Sequence, residues 1–233
     1  MTNLTLDALR VPVADADAAT TFYTDVFGAA VTTDAACTVD LHGRATIELL
    51  VSEAPPATRF GRLVVTYVLE QPSEVRAVMD AAISHGAQIL KPARKALFGS
   101  FSGSFVSPDG LIWKLASDKG KDTAPPALAP RPTEVTIILG VREPKESRKF
   151  YADLGMEVDR DYGSKYIDFR PAAGAIRLCL MQSPVLAKDV GVADSSQPPG
   201  VTLVHSADER EAAPGVAREL ADPDGFGWVI EAT

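Results

Sequence analysis

Cysteine is nearly absent: Cys37 and Cys179 are the only two among 233 residues, and they stand far apart in apolar surroundings. That argues against a disulfide-stapled framework and predicts free, buried thiols in a reducing compartment. Histidine is equally scarce, with only His42, His85 and His205. No run approaches the roughly 20 apolar residues of a membrane-spanning helix. The start, MTNLTLDALRVPV, has no basic segment leading into an apolar signal core. The expectation is a cytoplasmic protein without a membrane partner. Basic runs are missing too, and the formal net charge is -8. This speaks against nucleic acid as a partner and leaves cationic or neutral small molecules.

What is present is a core and a repeat. Hydrophobic residues make up 46% and charged residues 23%, enough for a packed interior. "SPDGLIWKLA" (107–116) returns as "DPDGFGWVIEA" (222–232), with Lys114 after the first Trp and Val229 after the second. "RVPVADADAATTFYTDVFG" (10–28) is answered by "GVREPKESRKFYADLG" (140–155), and "VTYVLE" (65–70) by "VTLVHS" (201–206). Between the halves, "SDKGKDTAPPALAPRPTE" is rich in Pro and Ala and reads as an extended linker. The division is a first domain at 1–117, a linker at 118–132 and a second domain at 133–233.

Local signals order each half. LDALRVPV reads as a strand, Asp15 caps a helix that Gly28 ends, and Pro144 and Gly155 repeat that design. Short strands follow around AAVTTD, CTVDLHG and RATIELLV. A second round has strand GRLVVTYVLE, a helix from about Ser73 to His85, strand AQILKPA and a hairpin. The closing segment "ADEREAAPGVARELADPDG" leaves room for only a short helical turn, interrupted at Pro214 and Gly215, so the fourth round is truncated.

This order, the Phe-Tyr pair closing the first helix, "HGAQILKP" and the final "SPDGLIWKLA" hairpin resemble the vicinal oxygen chelate superfamily, which includes glyoxalase I, bleomycin-resistance proteins and extradiol dioxygenases. The resemblance implies an α+β fold of tandem glyoxalase-like domains built from paired βαβββ modules. It also implies a divalent metal held by one side chain per module, acting as a Lewis acid. Carried over by position, the four ligand places are Ala8, Glu48, about Val65 and Lys114 in the first half. In the second they are Thr136, about Cys179, about Val201 and Val229. Glu48 alone survives of the first four, and an ammonium at Lys114 repels a dication. The expectation is therefore no metal and no cofactor.

Strand alternation places Tyr67 on the face of Val65, and Ile112 with Lys114 opposite Trp113 and Leu115. Glu48, Tyr67 and Lys114 are thus expected to converge in the first cavity, or Glu48 and Lys114 to satisfy each other as an ion pair. Phe98 and Phe101, among Gly and Ser, line the same space or pack as a strand edge. His205 is a candidate lining residue of the second cavity or a histidine bonded at a strand end. Three functions remain open. One is metal-independent binding of a small molecule. The second is a metal-dependent lyase, isomerase or dioxygenase with Glu48 as base or ligand. The third is a degenerate scaffold whose truncated module is covered in a homodimer.

Overall fold

The computed structural model of the protein describes residues 3–33, 36–53, 60–95, 100–197, 200–207 and 217–232. The first round is β1 (Ala8–Val13), α1 (Ala16–Phe27), β2 (Ala30–Thr33), β3 (Cys37–Asp40) and β4 (Thr46–Val51). The second is β5 (Leu63–Val68), α2 (Pro72–Ser84), β6 (Gln88–Lys95), β7 (Phe101–Val106) and β8 (Ile112–Ser117). The third is β9 (Glu134–Val141), α3 (Pro144–Asp153), β10 (Val158–Asp161), β11 (Ile167–Phe169) and β12 (Arg177–Gln182). A helix outside the expected order of elements follows, α4 (Ser183–Val190). The fourth round is shortened to β13 (Thr202–Ala207), β14 (Arg218–Ala221) and β15 (Gly227–Ala232), with no helix among its described residues. The turn expected around Pro214 and Gly215 lies outside them.

The helix ends form for the reasons the sequence suggests. Asp15 accepts hydrogen bonds from the backbone N–H groups of Asp17 and Ala18, and Gly28 leaves α1 at φ 63, a left-handed turn that favours glycine. The other three helices carry proline in the first turn, where its missing N–H costs nothing. Among the described residues, no helix is long and apolar enough to cross a membrane.

Strand pairing crosses the repeat. One seven-stranded sheet, β14-β15-β13-β1-β4-β3-β2, joins the first and fourth rounds, and an eight-stranded sheet, β10-β11-β12-β9-β5-β8-β7-β6, joins the second and third. The seams are antiparallel, with Ala8 opposite Val204 in one and Val64 opposite Ile138 in the other. The divisions 1–117 and 133–233 therefore separate sequence repeats, while each sheet takes one round from each half. The linker is tied down: Gln71, only 2% exposed, donates to the carbonyls of Ala124 and Pro125 and accepts from the N–H groups of Thr123 and Ala124.

One apolar core lies between the inner faces of the two sheets. Leu9, Val11, Ile47 and Trp228 enter it from the first sheet, and Val65, Trp113, Leu139 and Leu180 from the second. Helices α1, α2 and α3 contribute to it as well. From α1, Phe27 packs against Trp113 at 4.4 Å and Tyr67 at 4.9 Å between ring centroids. Both tryptophans are buried core residues, as strand parity requires.

The repeated motifs meet inside this core. The Tyr23 hydroxyl of α1 donates to Asp109 in the turn before β8 at 2.5 Å, and the Tyr151 hydroxyl of α3 donates to Asp222 in the matching turn before β15 at 2.7 Å. Burial, reinforced by the adjacent carboxylates, pushes both phenols well above the usual tyrosine pKa. A folded-state value above the unfolded value of about 10 means that the stabilisation is complete below pH 10 and is lost as pH rises toward the folded value. In that window stability should fall by about 1.4 kcal/mol per pH unit for each tyrosine. Urea unfolding at about pH 9 and about pH 11 should show this loss, and Tyr151→Phe should make it shallower. Equal pH dependence in both proteins would refute the assignment.

Candidate functional site

The faces turned away from the shared core differ in character. On the first sheet, alternation that sends Leu9, Val11, Ile47, Trp228 and Ile230 inward leaves Arg10, Glu48, Val229 and Glu231 on the outer face. Arg10 and Glu48 are register neighbours on the parallel strands β1 and β4. The Arg10 Nε donates to Glu48 at 2.7 Å, and its two terminal nitrogens donate to the two carboxylate oxygens of Glu231, each at 2.9 Å. The guanidinium thus reaches across β13 and bridges the first and fourth rounds. The three side chains are 20%, 21% and 36% exposed, so solvent reaches the group. Hydrogen bonding to Glu231, against an opposing burial effect, raises the Arg10 pKa, and the same bond lowers that of Glu231. The group carries two carboxylates and one fixed cation, a formal charge of -1.

This donor set does not fit the divalent metal implied by the resemblance. Glu48 stands where a metal-binding glutamate is expected, but it is already paired with a cation, as is the other carboxylate in reach. A dication would have to displace a guanidinium that makes charge-assisted bonds on two sides. Among the described residues, no three His, Cys, Asp or Glu side chains cluster to replace them.

The outer face of the second sheet is covered. Leu186, Ala187 and Val190 of α4 pack with Phe60 onto Val64, Ile112, Ile138 and Cys179. Lys114 does lie on this face, but its ammonium bonds Asp189 of α4 at 2.5 Å. Cys179 is fully buried beneath the helix, its sulfur accepting from the Tyr166 hydroxyl at 3.0 Å, and burial pushes its thiol up to about 12.

Comparison with known proteins agrees with this architecture. Residues 5–115 match the model of the Glyoxalase/Bleomycin resistance protein/Dioxygenase superfamily. That match covers the first repeat, just under half of the chain. Among solved structures it is similar to a putative dioxygenase from Bacillus subtilis, with a TM-score of 0.62 and 13% identity over 99% of this chain and 86% of that one. It is also similar to glyoxalase I from Zea mays, with a TM-score of 0.59 and 16% identity over 97% of this chain and 91% of that one. At such identities the likeness speaks for the fold, and it extends over both halves. No curated protein matches the sequence.

Several expected site residues are placed elsewhere. Glu48 and Lys114 lie on different sheets, so they neither converge in one cavity nor pair. Tyr67 points into the shared core because Leu63, Val65 and Tyr67 form the inner face of β5; burial raises its pKa, and its hydroxyl finds no partner among the described residues. Phe101 also belongs to the core, with the Arg76 guanidinium 5.1 Å from its ring centroid. Phe98 lies outside the described residues. Arg10 and Glu231, which complete the outer-face group, are not singled out by the sequence pattern. The usable signal is parity, since each stands two residues beyond a position that is, Ala8 and Val229.

His205 takes its structural role. It is 3% exposed on the side of Leu203 and Ala207, accepts from the Thr5 N–H at 3.2 Å and lies 3.3 Å from the Asp7 carboxylate. Burial tends to raise the Asp7 pKa, but bonds with His205, Ser206 and Thr5 together outweigh it and hold the carboxyl low. His205→Ala should cost about 2 kcal/mol through the partners it leaves unsatisfied. Urea unfolding measures this, and an unchanged midpoint would contradict a structural histidine.

Proposed function

We propose that this protein binds a small molecule on the outer face of its first sheet without the help of a metal, Arg10, Glu48 and Glu231 forming the polar anchor. The observation that carries the reading is the guanidinium of Arg10 fixed between two carboxylates where the superfamily resemblance leads one to expect a metal ligand. Binding then rests on fixed charges and hydrogen bonds. Arg10 spends its Nε and both terminal nitrogens on protein carboxylates, so its donors are largely used. The carboxylate oxygens keep lone pairs free, because each can accept more than one hydrogen bond. A group rich in acceptors and charged -1 suits a ligand that donates, such as an ammonium or amide compound, and the chain's net charge of -8 favours approach of a cation. Ala8, Val204 and Val229 on the same face supply apolar contact beside the charges.

The alternative, a metal-dependent lyase or dioxygenase, requires Arg10 to release both carboxylates. One experiment separates the two. Protein offered Ni, Zn, Mn and Fe(II), then desalted, should retain no stoichiometric metal, while a panel of cationic and neutral aromatic antibiotics should contain compounds that raise its melting temperature. Glu231→Gln should weaken those compounds by about tenfold, the value of one charge-assisted contact. Tightly held metal at one equivalent, or an affinity indifferent to Glu231→Gln, overturns the reading.

A further inference from the structure

The edge of the second sheet is built irregularly. β6 slips against β7 twice, between Ile89 and Lys91 and again between Lys91 and Arg94, so that β6 carries two more residues than its partner over this stretch. In a regular strand, residues three apart point to opposite faces. Here the second slip brings Lys91 opposite Ser104 and Arg94 opposite Ser102, two positions of β7 that share a face. Ser104 in turn pairs with Lys114 of β8, whose side chain lies on the outer face. The bulges therefore aim Lys91 and Arg94 to the side on which Lys114 already stands. Gly103 permits this crowding, since a Cβ there would meet the backbone of Ala93 at 2.9 Å.

The result is a cavity of about 390 Å³ lined by Lys91, Arg94, Lys95, Lys114, Ser102 and Asp189, among others. Four cationic residues and one carboxylate are among its lining, in a chain whose net charge is -8. Two are engaged: Lys114 with the Asp189 carboxylate, and Lys91 with the carbonyls of Lys188 and Asp189 at the end of α4, at 2.5 and 2.7 Å. Arg94 and Lys95 have no partner among the described residues. Gathering like charges costs Coulomb energy unless a counter-charge joins them. Regular pairing would have separated Lys91 from Arg94, so the bulges create the concentration of charge.

We propose that this cavity is a binding site for a small phosphorylated molecule. A phosphate dianion has several acceptor oxygens in a non-planar array, matching an arginine fork and separate lysine ammonium groups. The volume lies at the small end of ligand pockets, which suits a phosphate with a modest organic group. The site is on the other sheet from Arg10, Glu48 and Glu231, so it stands independently of the function proposed above.

Isothermal titration with pyrophosphate, and separately with a sugar phosphate, tests the proposal on the full chain at low ionic strength. Saturable one-to-one binding is expected, with a loss of about tenfold in Arg94→Gln and in Lys95→Gln. Lys149→Gln, on the exposed face of α3, should leave the affinity unchanged. Both altered cations are exposed, so circular dichroism should show intact fold in each variant. No heat of binding up to about 10 mM of either probe, or affinities that Arg94→Gln and Lys95→Gln leave within about twofold, overturns the site.

Discussion

Two buried tyrosine hydroxyls hold the molecule together in a way that strand pairing alone does not. Tyr23 sits on the helix of the first round and Asp109 in the last turn of the second; Tyr151 and Asp222 repeat this for the third and fourth. The rounds joined by each bond lie in different sheets, so each bond fastens one sheet to the other through the core. Each half is thus tied internally by tyrosine and aspartate, while each sheet is tied across halves by β1 with β13 and by β5 with β9. A buried carboxylate deprived of its donor costs about 1–3 kcal/mol, a large part of the stability of an ordinary domain. The tyrosine and the turn meet in both halves, but through different turn positions: Asp109 is the aspartate of Pro-Asp-Gly, whereas Asp222 precedes the proline, at the place of Ser107.

Most local structure is legible in the sequence because local physics determines it. Asp15, Gly28 and the prolines set helix ends, and alternation puts Trp113 and Trp228 inside. Partners across the sheet are not legible. A period of two says which residues share a face, yet it does not say which strand lies alongside, and β1 meets a strand almost 200 residues away. The expectation that neighbouring rounds share a cavity follows chain order, and it places Glu48 beside Lys114. Parity also leaves the position along a strand open by one pleat. That is how attention falls on Ala8 and Val229 while Arg10 and Glu231 stand two residues on. Counting from Val65 and Val201 as lining positions puts Tyr67 and His205 on the cavity side. Val65 in fact points inward to the core, and so do Tyr67 and His205.

The helix α4 shows how a short insertion changes what a sheet can do. Ser183-Pro184 starts it and Gly191, at φ 88, ends it, signals of the same kind that mark the other helices. Its apolar side covers Val64, Ile112 and Ile138, so the outer face of the second sheet becomes a small second core. The first sheet has no counterpart helix among its described residues, and its outer face keeps a charged group reached by solvent. Two faces that began as repeats of one design have therefore been put to different uses.

Charge follows the same division. A net charge of -8 describes the chain as a whole, yet the outer face of the first sheet carries a cation locked between carboxylates, and the bulged edge of the second gathers four cations around one carboxylate. At physiological ionic strength charges more than about 8 Å apart are largely screened, so a ligand responds to the local group it meets and not to the total. The position after the repeated tryptophan illustrates the point. Val229 in one copy lies beside the Arg10 group, while Lys114 in the other clamps α4 through Asp189 at the mouth of the basic cavity. Equivalent places of the repeat thus lie on two different faces, one with carboxylates around a single cation and one where cations outnumber the carboxylate.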